Sequence, residues 1–124
     1  RHDPKYILKT YRNMLDSNDA LISEFYRRGM KDKAREFVTM MVYDTYYLFN
    51  KPEWKEQENQ EYRYLTEERF RDYYYRFNSL WEETPKEVKM VISNGIRQRS
   101  IQEGMEMETI TLDDWLSRFT PTLG

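Results

Sequence analysis

The stretch KDKAREFVTMMVYDTYYLFN, Lys31 to Asn50, contains neither glycine nor proline, and Ala34, Phe37, Val38, Met41, Val42, Thr45, Leu48 and Phe49 recur in it at steps of three and four. That spacing gathers them on one stripe and predicts the central helix of a bundle. The rest of the circumference is not simply polar. Met40, Tyr43 and Tyr47 form a second apolar row, so the second half of the helix is apolar nearly all round. A partner protein, another copy of the chain, or a further helix of the same bundle would supply the cover this row needs.

Toward the N-terminus, Asp3-Pro4 reads as an N-cap followed by proline at the first helical position, where the missing N–H costs nothing. Ile7, Leu8, Tyr11, Met14 and Leu15 then make an apolar stripe that Asp16, Ser17 and Asn18 interrupt. Leu21, Ile22, Phe25 and Tyr26 resume it, with Gly29 as the C-cap. The segment is expected as two short helices or one kinked helix.

Toward the C-terminus, Pro52 marks a break, and KEQENQE, Lys55 to Glu61, is too polar to bury. It is either an exposed helical segment, the favoured reading, or a solvated connection, leaving residues 51–83 as one helix or two. Thr66 is read as the cap of a helix carrying Phe70, Tyr73, Tyr74, Phe77, Leu80 and Trp81 on one face, with Tyr75 pointing away. TPKE, Thr84 to Glu87, has the form of a capping box with proline at the first helical position. The helix it opens takes its apolar face from Val88, Val91, Ile92 and Ile96, and Asn94-Gly95, a turn dipeptide, is placed to split it before Gly104 closes the segment. After MEMETI, Thr111 to Asp114 opens a last short helix with Leu112, Trp115, Leu116 and Phe119, ended by Pro121. No strand alternation competes with these periods. The fold class is therefore all-α, a compact bundle of five or six helices over residues 1–124, standing alone or as a piece of a longer chain. Phe37, Met41, Phe70, Phe77, Trp81, Ile92 and Trp115 are expected near its centre.

Composition narrows the function. A chain of 124 residues is charged at 34% of positions, yet 16% aromatic residues with four Gly and four Pro argue for folding rather than disorder. Twenty Lys and Arg against 22 Asp and Glu leave a net charge of −2, so nucleic acid or acidic lipid would have to be held by a local patch. There is no cysteine, and the single histidine is His2, which leaves no basis for a thiolate site, a His-based metal site or a Ser-His pair. Glycines are scattered singly, so no loop cradles phosphate. Adjacent carboxylates such as Glu67 with Glu68 diverge on a helix, and Asp113 with Asp114 suit the dipole of a first turn better than acid–base catalysis. No cofactor, metal or small-molecule substrate is expected, and the chain reads as non-enzymatic. No apolar run is long enough to span a membrane, so a soluble cytoplasmic protein is expected.

Two readings of the surface follow. Tyrosine joins a rigid apolar ring to a polar tip and is enriched at interface hot spots. Tyr11, Tyr26, Tyr73 and Tyr74 lie on apolar stripes and are expected at the core boundary. Met40, Tyr43, Tyr47 and Tyr75 lie off them and are the candidates for contact with another protein or a second copy, as a homodimer. The alternative is a nucleic-acid-binding regulator. YRYLTEERFRDYYYRF, Tyr62 to Phe77, interleaves arginines and rings as single-strand binders do, with Arg69 and Arg76 as phosphate candidates. Residues 86–103, with a turn at Asn94-Gly95, would present Arg97 and Arg99 in the manner of a helix-turn-helix. From Trp81 to Phe119, a tryptophan, two apolar helices and a terminal aromatic are similar in rhythm to helical replication-accessory domains of bacteria and their phages. That resemblance covers under half the chain, implies a replication-associated role, and assigns no residues.

Overall fold

The computed structural model describes residues 3–105 and 111–119. His2, most of the MEMETI link and Pro121 lie outside them. Among the described residues the architecture is all-α, five helices with two short 3-10 turns and no strand.

The first helix, α1, runs unbroken from Pro4 to Arg27, and the Asp3 side chain accepts from the Lys5 N–H at 2.9 Å. The polar stretch Asp16 to Asn18 does not end it, and Asp16 bonds across the bundle to Arg69 and Tyr73 of the third helix. Its C-terminus does close as expected. Gly29 adopts φ +75°, and the Met30 and Gly29 N–H groups return to the carbonyls of Phe25 and Tyr26 in a Schellman motif. The turn delivers the chain directly into α2, Lys31–Phe49, which runs antiparallel to α1. Tyr11 lies beside Thr45 near one end of the pair, and Phe25 stacks on Phe37 at 5.6 Å near the other.

The polar connection after Pro52 is ordered by its own side chains. Two 3-10 turns, Pro52–Lys55 and Gln57–Asn59, replace the expected helix. Asn59 Nδ2 donates to the Glu53 carbonyl at 2.7 Å, and Gln60 Nε2 donates to the carbonyls of Trp54 and Glu56. Trp54 is thereby buried, a core residue that its polar surroundings hide in the sequence. The third helix, α3, spans Gln60–Glu82. Thr66 is inside it, not at its cap, and its hydroxyl donates back to the Tyr62 carbonyl at 2.7 Å.

TPKE does not form its capping box. The Thr84 hydroxyl donates backward to the Leu80 carbonyl at 3.0 Å, finishing α3, while the Pro85 carbonyl starts the next helix by accepting from the Val88 and Lys89 N–H groups. That helix, α4, runs continuously from Lys86 to Gln102 through Asn94-Gly95, so the expected helix-turn-helix geometry of residues 86–103 is absent. Gly95 faces α2 closely enough that a Cβ would lie 3.6 Å from the Tyr43 ring. Gly104, at φ +70°, closes α4 with a second Schellman motif. The last helix, α5, is Leu112–Leu116, and the Thr111 hydroxyl accepts from the Asp114 N–H at 3.1 Å as the sequence predicts.

Helix α2 packs against α1, α3 and α4 and is the centre of the bundle. At one end of the core, Trp115 of α5 meets Tyr46, Phe49, Phe70 and Phe119 at ring centroid distances of 4.9 to 5.7 Å. Met41, Phe70, Trp81 and Trp115 are buried as expected, whereas Phe37, Phe77 and Ile92 sit partly buried at the edge of the core. Tyr11, Tyr73 and Tyr74 are buried too. Tyr26, expected at the core boundary, is exposed. Among the described residues no helix is long and apolar enough to cross a membrane.

The burial pattern orders two truncations. Trp115→Ala removes a ring shared by three elements and is expected to cost about 3–5 kcal/mol, against about 1–2 kcal/mol for Phe77→Ala, whose ring is only partly buried at the edge of the core. Urea unfolding of the two variants checks the order.

A second pair tests the polar link inside the core. The Tyr11 hydroxyl bonds to Thr45 Oγ1, which donates to the Met41 carbonyl at 2.7 Å. Burial raises the Tyr11 pKa far above its ordinary value, so the phenol stays protonated and supplies the hydrogen. Tyr11→Phe deletes one bond and leaves Thr45 satisfied, for a cost of about 1 kcal/mol. Thr45→Val leaves a buried phenol without its partner, and a larger loss of about 1–3 kcal/mol is expected in the same unfolding experiment.

Candidate interaction surface

The second apolar row of α2 finds most of its cover inside the chain. Tyr43 packs partly buried beside Gly95, and Tyr47 is buried, with its hydroxyl donating to Glu103 and the Arg99 guanidinium 3.8 Å from its ring centroid. Arg99 also pairs with Glu103 at 3.7 Å, and Lys51 Nζ lies 5.4 Å from the centroid of the same ring. Tyr47 is thus a docking point for α4 rather than a free contact surface. These pairs, 43 beside 95 and 47 beside 99, also show that α2 and α4 run parallel in fixed register.

Met40 is different. It is 51% exposed, and the register that sets Tyr43 beside Gly95 brings Met40, one turn earlier, level with Val91 and Ile92. Val91 is 71% exposed and Val88 is exposed beside it, three residues back on the same helix. Met40, Val88 and Val91 are thus exposed apolar side chains on two helices packed side by side, with Met40 and Val91 at one level along them. Helix α4 carries further exposed aliphatics, Met90 and Ile101, because only a narrow side of it, with Ile96 and Ser100, is buried. Beside Met90 an open cleft of about 190 Å³ lies between α4 and the start of α5, lined by Lys86, Lys89, Asn94 and Leu112. Val88 and Val91, expected to face the core, are on the outside of α4. Tyr75 is exposed on α3, as expected.

The arginine candidates separate. Arg69 pairs with Asp16 at 3.5 Å and Arg76 with Asp19 at 3.0 Å, while the Tyr73 hydroxyl donates to Asp16 between them. Both guanidiniums also lie over the Tyr73 ring. Burial first, and then the Asp16 carboxylate, raises the Tyr73 pKa. The Arg and Tyr face of residues 69–76 is in this way largely occupied with holding α3 to α1, by Asp16, which looks like part of a helix interruption in the sequence, and by Asp19. Arg99 is occupied as described, and Arg97 is exposed on α4. The adjacent carboxylates are engaged as well: Glu67 with Arg63 at 3.2 Å, Glu68 with Arg71, and Asp113 as acceptor for Trp81 Nε1 at 3.4 Å.

A feature missed in the sequence is the row Lys5, Lys9 and Arg12. Their i, i+4, i+7 spacing puts them on one stripe of α1, facing Tyr62 and Arg69 of α3 across a cleft of about 240 Å³. The spacing is visible in KYILKTYR, but it is eclipsed there by the apolar stripe that shares the same turns.

Comparison of the chain with protein-family models, with curated proteins and with solved structures gives no match.

Asp44, half-buried on α2, offers a titration test of the α2–α4 seam. Burial raises its carboxyl pKa, and Arg99 opposes the shift only in part. The folded state thus holds the proton more tightly than the unfolded chain does. Ionised Asp44 weakens the fold near neutral pH, and that cost disappears as pH falls through the folded-state pKa. Asp44→Asn is expected to raise Tm at pH 7, with the gain shrinking in acid where wild-type Asp44 is itself protonated. Thermal unfolding of both proteins across this range measures it.

Proposed function

We propose that the chain is a non-enzymatic helical interaction module that binds another protein chain, a second copy of itself included, through the patch of Met40, Val88 and Val91. The single observation that supports this reading is the exposure of Met40, Val88 and Val91 on two helices that run side by side in fixed register. Exposed apolar surface of this kind gains free energy when a partner covers it, and methionine adapts to the shape of what it meets. Tyr43 lends the patch an aromatic edge. Tyr47 contributes indirectly, by fixing α4 at the register that lines up Met40 with Val91.

A nucleic-acid-binding role through Arg69, Arg76 or Arg99 has less support, since each of these cations already serves a carboxylate of the same chain.

The test begins with sedimentation equilibrium of the purified protein. A concentration-dependent mass is expected, and Met40→Glu with Val91→Glu should abolish it while leaving the helical circular dichroism unchanged, as both side chains are exposed. If the wild type is strictly monomeric, a photoreactive residue in place of Val91 should crosslink a partner chain in cells, and adding Met40→Glu should prevent the crosslink. A monomer that forms no crosslink at Val91 overturns the reading.

A further inference from the structure

Most cations on this surface have an acidic partner within the chain. Arg27 and Arg28 bond to Glu24, Lys31 and Arg35 reach Glu83, Lys33 pairs with Glu36, and Arg63, Arg71, Arg76 and Arg99 each pair with a carboxylate. The row on α1 breaks this pattern. Among the described residues, no carboxylate pairs with Lys5, Lys9 or Arg12. Arg12 is half-buried, and its Nε–H finds no acceptor, as is also true of Arg69 Nε on the opposite wall. The fold thus gives the Arg12 charge no carboxylate of its own, and an anion that reaches its guanidinium from the cleft can form a charge-assisted hydrogen bond there.

We propose that this cleft between α1 and α3 binds the phosphodiester backbone of single-stranded nucleic acid, with Lys5, Lys9 and Arg12 on phosphates and Tyr62 against a base. The site is distinct from the apolar patch on α4 and does not depend on it. Geometry selects the ligand class. The three cations succeed one another along α1 at rises of about 6 Å and 4.5 Å, a row rather than a cage, which suits a ligand of repeated charge over a lone phosphate ion. Tyr62 lines the same cleft, and Tyr6 is exposed on the next face of α1. Cations along a groove with rings beside it are what a strand with unpaired bases can use, whereas a duplex has no free base face to offer and an acidic peptide has no base. Asp16 closes the far end of the row, where Arg69 neutralises it, and so limits the site to a few nucleotides.

The experiment is fluorescence anisotropy with a labelled oligothymidylate across a salt series. Three phosphate contacts give a slope of log affinity against log salt near −2.1, or about a 20-fold loss between about 50 and 200 mM salt. Lys5→Ala with Lys9→Ala, both at exposed positions, should reduce that loss to about threefold and weaken binding about tenfold or more at low salt. Tyr62→Leu, which keeps an apolar side chain against the core, should weaken binding about fivefold or more with the slope unchanged. Met40→Glu with Val91→Glu should change nothing here, so this proposal and the α4 reading fail separately. Absence of saturable binding at about 50 mM salt, a slope indifferent to the lysine changes, or equally tight binding of labelled polyglutamate would each overturn the proposal.

Discussion

The indole of Trp115 is the contact on which the arrangement of this bundle turns. Its helix, α5, is a single short piece that has no stability of its own, since helices of this length do not form alone in water. The Thr111 cap and the burial of Trp115 among Tyr46, Phe49, Phe70 and Phe119 hold it in place. In return α5 closes the end of the core where α2 and α3 diverge into the polar 3-10 turns. Without that plug, Phe49 and Phe70 would face water at the C-terminal end of the central helix. The tilted and edge-on ring geometries add a directional preference to the area buried, so this end of the core has one favoured packing.

Closing the core in this way leaves α4 in an unequal position. Helix α2 is nearly apolar all round in its second half, and three of its sides are taken by α1, α3 and the aromatic cluster. The fourth is left to α4, which answers with a glycine against Tyr43 and with charge around Tyr47 rather than with a broad apolar face. The demand for cover at α2 therefore places α4, while α4 itself buries little. Its remaining aliphatics stay outside, as Met40 does, and their exposure follows from the order in which the helices are satisfied.

Much of the fold is legible in the sequence where a local signal has only one physical outlet. Asp3-Pro4, Gly29, Gly104 and Thr111 are such signals: a proline ring, a left-handed φ and a cap with two acidic residues after it have few alternative uses. Threonine has two outlets. Thr66 and Thr84 each look like forward caps, and each instead donates back to the carbonyl four residues earlier, an option that no local pattern excludes. Asn94-Gly95 and Asp16 to Asn18 look like breaks for a similar reason. Their real partners, Tyr43 for Gly95 and Arg69 with Tyr73 for Asp16, come from other helices. The surface was less legible than the core. Which of Met40, Tyr43 and Tyr47 remains exposed depends on the placement of α4, and Asn94-Gly95 leaves open in the sequence whether α4 is one helix or two.

Charge shows the same limit from the opposite direction. A net charge of −2 describes a molecule with no long-range pull on anions, and the total is correct. It conceals how the charges are distributed between neighbours. Acidic residues follow or precede most basic ones by three or four positions, so the helices neutralise their own surfaces along α2 and α3. In the first three turns of α1 the corresponding positions hold Lys5, Lys9 and Arg12 with no acid among them until Asp16, and Asp16 is turned to Arg69 and Tyr73. The field at this cleft is therefore set by pairing rather than by composition. Screening limits surface charges to effects within roughly 10 Å, so a ligand in the cleft meets this local row and not the protein's overall sign.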